Sequence, residues 1–331
     1  MKLNHYPIGI AFILFFTFYS CGEQSDYPVL KGPYIGQNPP GKIPEVFEPN
    51  YVSTGLDELN SVFSPDGREF YFCIRNYSGA VSIFQMKREG ENWSQPVLLP
   101  FASRYGDIDV TMSPDGNKIL FSSLRPLPGQ EKQNDDYDFW MVNLENDTWG
   151  EPIHLGNDIN SNSHDFYPMM TNSGTIYFSS QREGSGTNNI YRSELVNGNY
   201  SQATKLSDSI NTKYREFDPY ISPDENMLIF ASSRPEGSGA SDLYVSFKDA
   251  EGNWTKAKNM GKEINSPGSE YCPMLSPDGK YLFFTSARHD SRSIPDRPLD
   301  YDDFITYHNS SENGFSDIYW VDAKTTNVSL F

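Results

Sequence analysis

The chain has 331 residues, with 44 Asp and Glu against 26 Lys and Arg and a formal net charge of −18 at pH 7. An acid excess of that size argues against nucleic acid and anionic lipid surfaces as partners, because both require clustered basic side chains. Aromatic residues make up 15% of the chain and no long stretch keeps a 3.6-residue apolar period, which excludes a helical bundle and points to an all-β fold with many turns.

Lys2 precedes an apolar stretch from Ile8 to Tyr19 that runs into Ser20-Cys21. The stretch is too short to cross a bilayer as a mature helix, and its positive start, apolar middle and small residue before a cut are those of a secretory signal. Residues 1–20 therefore read as a lipoprotein signal peptide. The segment resembles a bacterial lipobox, which implies Cys21 as the lipidated first residue; an ordinary signal peptide with an incidental Cys21 is the alternative. Residues 21–44 hold Pro28, Pro33, Pro39, Pro40 and Pro44 with Gly32, Gly36 and Gly41. That composition builds neither helix nor central strand and is expected to be a tether.

From residue 45 to the end one unit recurs: an acid, an apolar run, a Ser-Pro-Asp-Gly-type turn, and a β-rich run ending in arginine. The turns begin at Ser64, Ser113, Thr171, Ser222 and Ser276, with spacings of 49, 58, 51 and 54 residues. A period of that size marks a propeller or solenoid. Pro fixes φ at the first turn corner and Gly supplies positive φ, so the flanking strands are antiparallel neighbours. A third strand carries Ile83-Phe84, Phe139-Trp140, Ile190-Tyr191, Leu243-Tyr244 and Ile318-Tyr319, and a fourth leads through an Ile-Asn-Ser or Ile-Asn-Thr segment into the next unit. Four antiparallel strands per unit is blade geometry. The last unit lacks a fourth strand, and the segment from Ile43 to Thr54 is placed to supply it, which would remove two exposed edges. The expectation is a five-bladed β-propeller over residues 45–331. A sixth blade is the alternative, if the insertion after Arg288 hides one.

The segments Asn265-Ser266 to Phe284-Thr285-Ser286 and Phe230-Ala231-Ser232-Ser233-Arg234-Pro235 to Asp242-Leu243-Tyr244 resemble the WD40-like Pro-Asp propeller repeat of bacterial envelope proteins, as in the TolB propeller and OmpA-linked propeller lipoproteins. The resemblance implies the fold and an envelope location, periplasmic or surface-exposed, on the outer membrane through a lipid anchor. It says little about activity, since propellers host many unrelated functions.

Six positions before each turn stands an acid: Glu58, Asp107, Asp165, Glu216 and Glu270. Eleven or twelve positions after it stands an arginine: Arg75, Arg125, Arg182, Arg234 and Arg288. A hairpin with a two-residue loop sets the acid opposite the arginine at one end of the blade. One reading makes these ion pairs that lock the ring; the other has some of them line the channel mouth and bind a polar ligand or partner peptide. Nearby Phe166, Tyr167, Phe217, Tyr220 and Tyr271 either pack between blades or form a stacking floor. Two insertions, Pro126 to Asp138 and His289 to Phe315, follow second strands and should project from the same end. They bring Asn134-Asp135-Asp136-Tyr137-Asp138 and Asp300, Asp302 and Asp303. Calcium or a sugar would suit such acids, though neither insertion has the spacing of an EF-hand loop, and no cofactor is expected.

Cys73 and Cys272 fall in the first and last units, where a disulfide is conceivable and buried free thiols are the commoner outcome. His154, His164, His289 and His308 show no metal-ligand spacing, and no nucleophile elbow or phosphate loop is present. Arginines opposite every ring acid should hold all five ionised and alike, which is poor design for general acid catalysis. The functional expectation is a monomeric, non-enzymatic envelope lipoprotein that binds a protein, peptide or glycan at the acid and arginine end. The alternative is a carbohydrate-active enzyme, a glycoside hydrolase or lyase, using the loop acids.

Overall fold

A computed structural model describes residues 27–325 except 77, 103, 147, 185 and 289–296. Cys21, the lipidation candidate, and the signal segment lie outside the described residues. Five antiparallel blade sheets follow one another along the chain, and a two-stranded ribbon, Leu195–Val196 with Asn199–Tyr200, extends the third. Blade 1 is built on Asp57–Phe63, Glu69–Arg75 and Val81–Glu89, blade 2 on Ile108–Met112, Lys118–Ser123 and Asp138–Glu145, and blade 3 on Asp165–Met170, Ile176–Ser180 and Asn189–Ser193. Blade 4 uses Glu216–Ile221, Met227–Ser232 and Asp242–Phe247, and blade 5 uses Glu270–Leu275, Tyr281–Ser286 and Asp317–Asp322. Short outer strands complete blades 1 to 4, at Val97–Leu98, Ile153–His154, Thr204–Lys205 and Lys258–Asn259.

Blade 5 takes its outer strand from the other end of the chain. Glu45–Val46 pairs antiparallel with Asp317–Asp322, Glu45 opposite Trp320 and Val46 opposite Tyr319. The ring is thus closed as the sequence implies, with five blades. The described part of the insertion after Arg288 holds no sixth sheet; it forms the helix Tyr301–His308.

The turns close as their chemistry dictates. In four of them the serine Oγ bonds the turn aspartate and also accepts from a backbone N–H four or five residues on, as in Ser64 with Asp66 and Glu69, and Ser222 with Asp224 and Met227. Glu225 occupies the glycine position of blade 4 at φ 61°. Its carboxylate reaches across to Thr171, Ser173 and Tyr177 of blade 3, contacts that offset the strain of a left-handed non-glycine residue.

Each first strand also carries a feature the alternating pattern does not announce. One residue per strand takes positive φ, namely Asn60, Asp109, Tyr167, Asp218 and Cys272, and the pairing with the second strand slips by one residue there. This is a β-bulge repeated in all five blades. The turns enclose more than two residues as well: Ser64 N–H bonds the Glu69 carbonyl, while Thr171 N–H bonds that of Thr175, one residue sooner. Bulge and turn together replace the register expected from sequence. Glu216 stands opposite Ser232 and Glu270 opposite Ser286, each two residues short of the arginine.

Residues 27–44 lie against the seam between blades 1 and 5. Lys31 bridges to Asn92, and Gly41 accepts from Asp322. Tyr34 donates to Asp278 at 2.8 Å and packs among Phe63, Tyr281 and Trp320. Cys73 and Cys272 are buried free thiols, so the disulfide is not formed.

Candidate functional site

In blades 2 to 5 the acid and arginine form one repeated clamp. Arg125 donates to Asp107 at 2.7 Å, Arg182 to Asp165 at 3.0 Å, Arg234 to Glu216 at 3.2 Å and Arg288 to Glu270 at 3.2 Å. Each guanidinium also donates to the carbonyl of the segment entering the blade, at Phe101, Ile159, Ile210 and Ile264. Aromatic faces enclose it on both sides: Phe121 and Trp140, Phe178 and Tyr191, Phe230 and Tyr244, Phe284 and Tyr319. Three of these carboxylates accept in addition from the Ser or Thr four residues upstream, Ser161, Thr212 and Ser266. All five acids are fully buried. The clamp therefore ties first, second and third strands to the incoming connector, and the acids face no solvent.

Blade 1 breaks the pattern, and here the expected pairing is corrected. Glu58 stands opposite Ile74 and Asp57 opposite Arg75, so Arg75 is displaced by one residue onto the other face of its strand. It pairs with Asp57 at 3.0 Å and is 41% exposed. Asn76 occupies the position that holds the clamp arginine elsewhere. Among the described residues Glu58 keeps just the Thr54 N–H and hydroxyl as donors, and burial pushes its carboxyl up to about 7. Beside it Asp317 is pushed up to about 8, by burial first and then by the charges of Glu58, Glu312 and Asp57. Burial raises Asp107 and Asp165 as well, against the pull of their arginines. The five acids are not alike.

The bulge residues gather on the axis. Asp109 accepts from Tyr167 N–H at 3.0 Å, and Asp218 lies 3.3 Å from the Cys272 thiol. Burial raises Asp109 and Asp218, and the charge of Asp218 raises Asp109 further. Tyr167 crosses from blade 3 to blade 5, its hydroxyl donating to the Pro273 carbonyl at 2.9 Å. Among the expected floor aromatics, Tyr167 thus spans the axis and Tyr220 lines the turn end, while Phe166 packs on Tyr137 and His164 and Tyr271 bonds Ser316.

At the turn end, opposite the clamps, the five first strands open into a funnel of about 820 Å³. The apolar part of its wall comes from the ends of those strands and the turn prolines: Val62 and Phe63, Met112, Met169 and Met170, Tyr220 and Ile221, Met274 and Leu275, with Pro65, Pro114, Pro223 and Pro277, and turn residues such as Asn172, Asp224 and Asp278 add a polar rim. Such a volume falls in the usual range of ligand sites, ~300–1,000 Å³. Sequence reasoning placed the binding end at the acids and missed this one. The signal was present as an apolar pair just before four of the turns and a single methionine, Met112, before the other, which only the closed ring brings to a single axis.

The loop acids of the second insertion serve the loop itself. Asp300 caps the helix Tyr301–His308 and exchanges bonds with Asp303, which also pairs with Arg297. The Arg297 contact holds Asp303 below the ordinary carboxylate range. Asp302 is exposed in the first turn of that helix. Among the described residues no three His, Cys, Asp or Glu side chains converge on a metal position, and no helix is long and apolar enough to cross a membrane.

Fold and site define a five-bladed propeller of Pro-Asp hairpins with a blocked axis and an apolar mouth. No family model and no curated protein matches the chain. Solved structures similar to it include one assigned as TolB from Agrobacterium tumefaciens, at 16% identity over 80% of this chain and 90% of that one, TM-score 0.49. TolB from Acinetobacter baumannii is similar at 14% identity over 80% of this chain and 54% of that one, TM-score 0.45. An α-L-arabinofuranosidase from Lactobacillus brevis is similar at 12% identity over 82% and 91%, TM-score 0.46.

Proposed function

We propose that this chain is a non-enzymatic binding propeller of the cell envelope, anchored through Cys21, and that its funnel receives an apolar segment of a protein or peptide partner. The observation that carries the reading is the funnel wall, to which all five blades contribute and in which methionines recur. Unbranched thioether side chains adapt to irregular apolar partners, and anchors seated in water-excluding pockets dominate binding energy. The clamped blades give that wall a rigid frame. The ring acids are buried and engaged, so the expected binding role for Glu58, Asp107, Asp165, Glu216 and Glu270 passes to the other end of the wheel.

Selection of peptides from a random display library tests this, with Leu275→Lys, a partly exposed position of the funnel wall, as the counter-selected variant. Recovered sequences should share an apolar anchor and lose binding to Leu275→Lys while its melting temperature stays close to wild type. Peptides that hold both proteins equally would refute the funnel. Turnover of a polysaccharide panel tests the enzymatic alternative; a product abolished by Asp302→Asn would displace the binding role.

A further inference from the structure

At the clamp end, blades 2 and 3 part around a second cavity, of about 510 Å³. It is the opposite of the funnel in character, since all but one of its lining side chains are polar. The insertion of blade 2 forms one wall, with Asp136 and Asp138; Asn157, Asn162 and Gln202 stand on the connectors around it, and Arg182 closes the blade 3 side.

Asp138 is the informative residue. It is 4% exposed; its Oδ2 meets His154 Nε2 at 3.0 Å and accepts from Asn134, while Oδ1 has no partner among the described residues. Asp242 begins the third strand of blade 4, as Asp138 begins that of blade 2. There the shorter loop folds back to satisfy both oxygens: Gly239 N–H donates to Oδ1 at 2.9 Å, and Ser238 N–H and Asn259 donate to Oδ2, each at 2.7 Å. The longer insertion of blade 2 carries those backbone donors away and leaves Oδ1 a buried acceptor without a partner among the described residues, on a residue of the cavity wall. A buried carboxylate oxygen without a donor is unfavourable, and a ligand hydroxyl would supply that donor.

We propose that this cavity binds a single neutral saccharide unit. Each sugar hydroxyl both donates and accepts, as the lining requires: carboxylate acceptors at Asp136 and Asp138 stand beside amides, which do both, at Asn157, Asn162 and Gln202. An anion would meet acids on the wall. Among the described residues no three His, Cys, Asp or Glu side chains converge to hold a metal ion there. The single arginine is spent, since Arg182 already serves Ser180, Ile159 and Asp165. The site is separate from the funnel and stands without it.

Saturation-transfer NMR on the protein with N-acetylglucosamine, galactose and arabinose as probes reads the proposal, with lysine and calcium chloride as cationic competitors. At least one sugar should bind with a Kd of order 1 mM, and both Asp136→Asn and Gln202→Ala should weaken it about tenfold. Both positions are partly or fully exposed, and their melting temperatures confirm folding. Failure of all three sugars, sugar binding that survives both variants, or displacement of the sugar by lysine or calcium would overturn the assignment.

Discussion

Replacing Arg234 by alanine isolates the clamp. Its side chain is 5% exposed; it holds Glu216 at 3.2 Å and the Ile210 carbonyl at 2.6 Å between the rings of Phe230 and Tyr244. The alanine variant leaves the Glu216 carboxylate buried without its cation and the Ile210 carbonyl without its donor. Removing one partner of a buried pair costs ~3–5 kcal/mol. With a melting shift of ~2–4 °C per kcal/mol in domains of comparable size, the midpoint should fall by roughly 6–20 °C. Arg75→Ala is the internal control, because its pair with Asp57 is 41% exposed on the arginine side. An exposed pair contributes ~0–1 kcal/mol, so that variant should shift by less than about 4 °C. Scanning calorimetry of both proteins beside wild type reads the difference. An Arg234→Ala midpoint equal to wild type, or an Arg75→Ala midpoint that falls as far, would refute the locking role.

Asp317 titrates at about 8 and Glu58 at about 7 in the folded chain, above their unfolded values near ~4. The folded state then holds more protons than the unfolded one across that interval, so their contribution is fully present below about pH 4 and is lost as pH rises through the folded values. Asp317→Asn should therefore melt higher than wild type at pH 8.5, with the gap closing at pH 5.5; equal gaps at the two pH values would count against the seam. Burial raises the thiols of Cys73 and Cys272. Ellman's reagent should accordingly find neither in the native protein and both after denaturation without reductant. A Cβ on Gly55 would meet Asn309 Cα at 2.6 Å, so Gly55→Ala should speed hydrogen exchange across residues 300–315; unchanged exchange there would show that the insertion is held by other contacts.

The Pro-Asp turns made the wheel legible, because proline, aspartate and glycine act locally, and the chain start supplied the strand that blade 5 lacks. Register was not legible. A bulge at Asn60, Asp109, Tyr167, Asp218 or Cys272 shows no common side chain, since the last four bond different partners in other blades while Asn60 accepts from Cys73 of its own. Arg75 looked equivalent to Arg182 because both follow their turn start by eleven residues. Yet blade 3 has the shorter turn, so the same count lands on opposite faces of the strand. The loop acids were read by composition, whereas Asp300 and Asp303 answer to the helix start between them.

Strand Glu45–Val46 finds its partner around Tyr319 and Trp320 only when nearly all the chain is present. Four blades can pair in chain order, but Glu45–Val46, which comes first, keeps an unpaired rim until Asp317–Asp322 of the fifth blade is in place. Bringing those ends together carries a loop-closure entropy that grows only slowly with length, so it is order rather than distance that governs assembly. A wheel without that pairing is an open arc, prone to pair with other arcs, and it becomes a self-contained object only when these two strands meet.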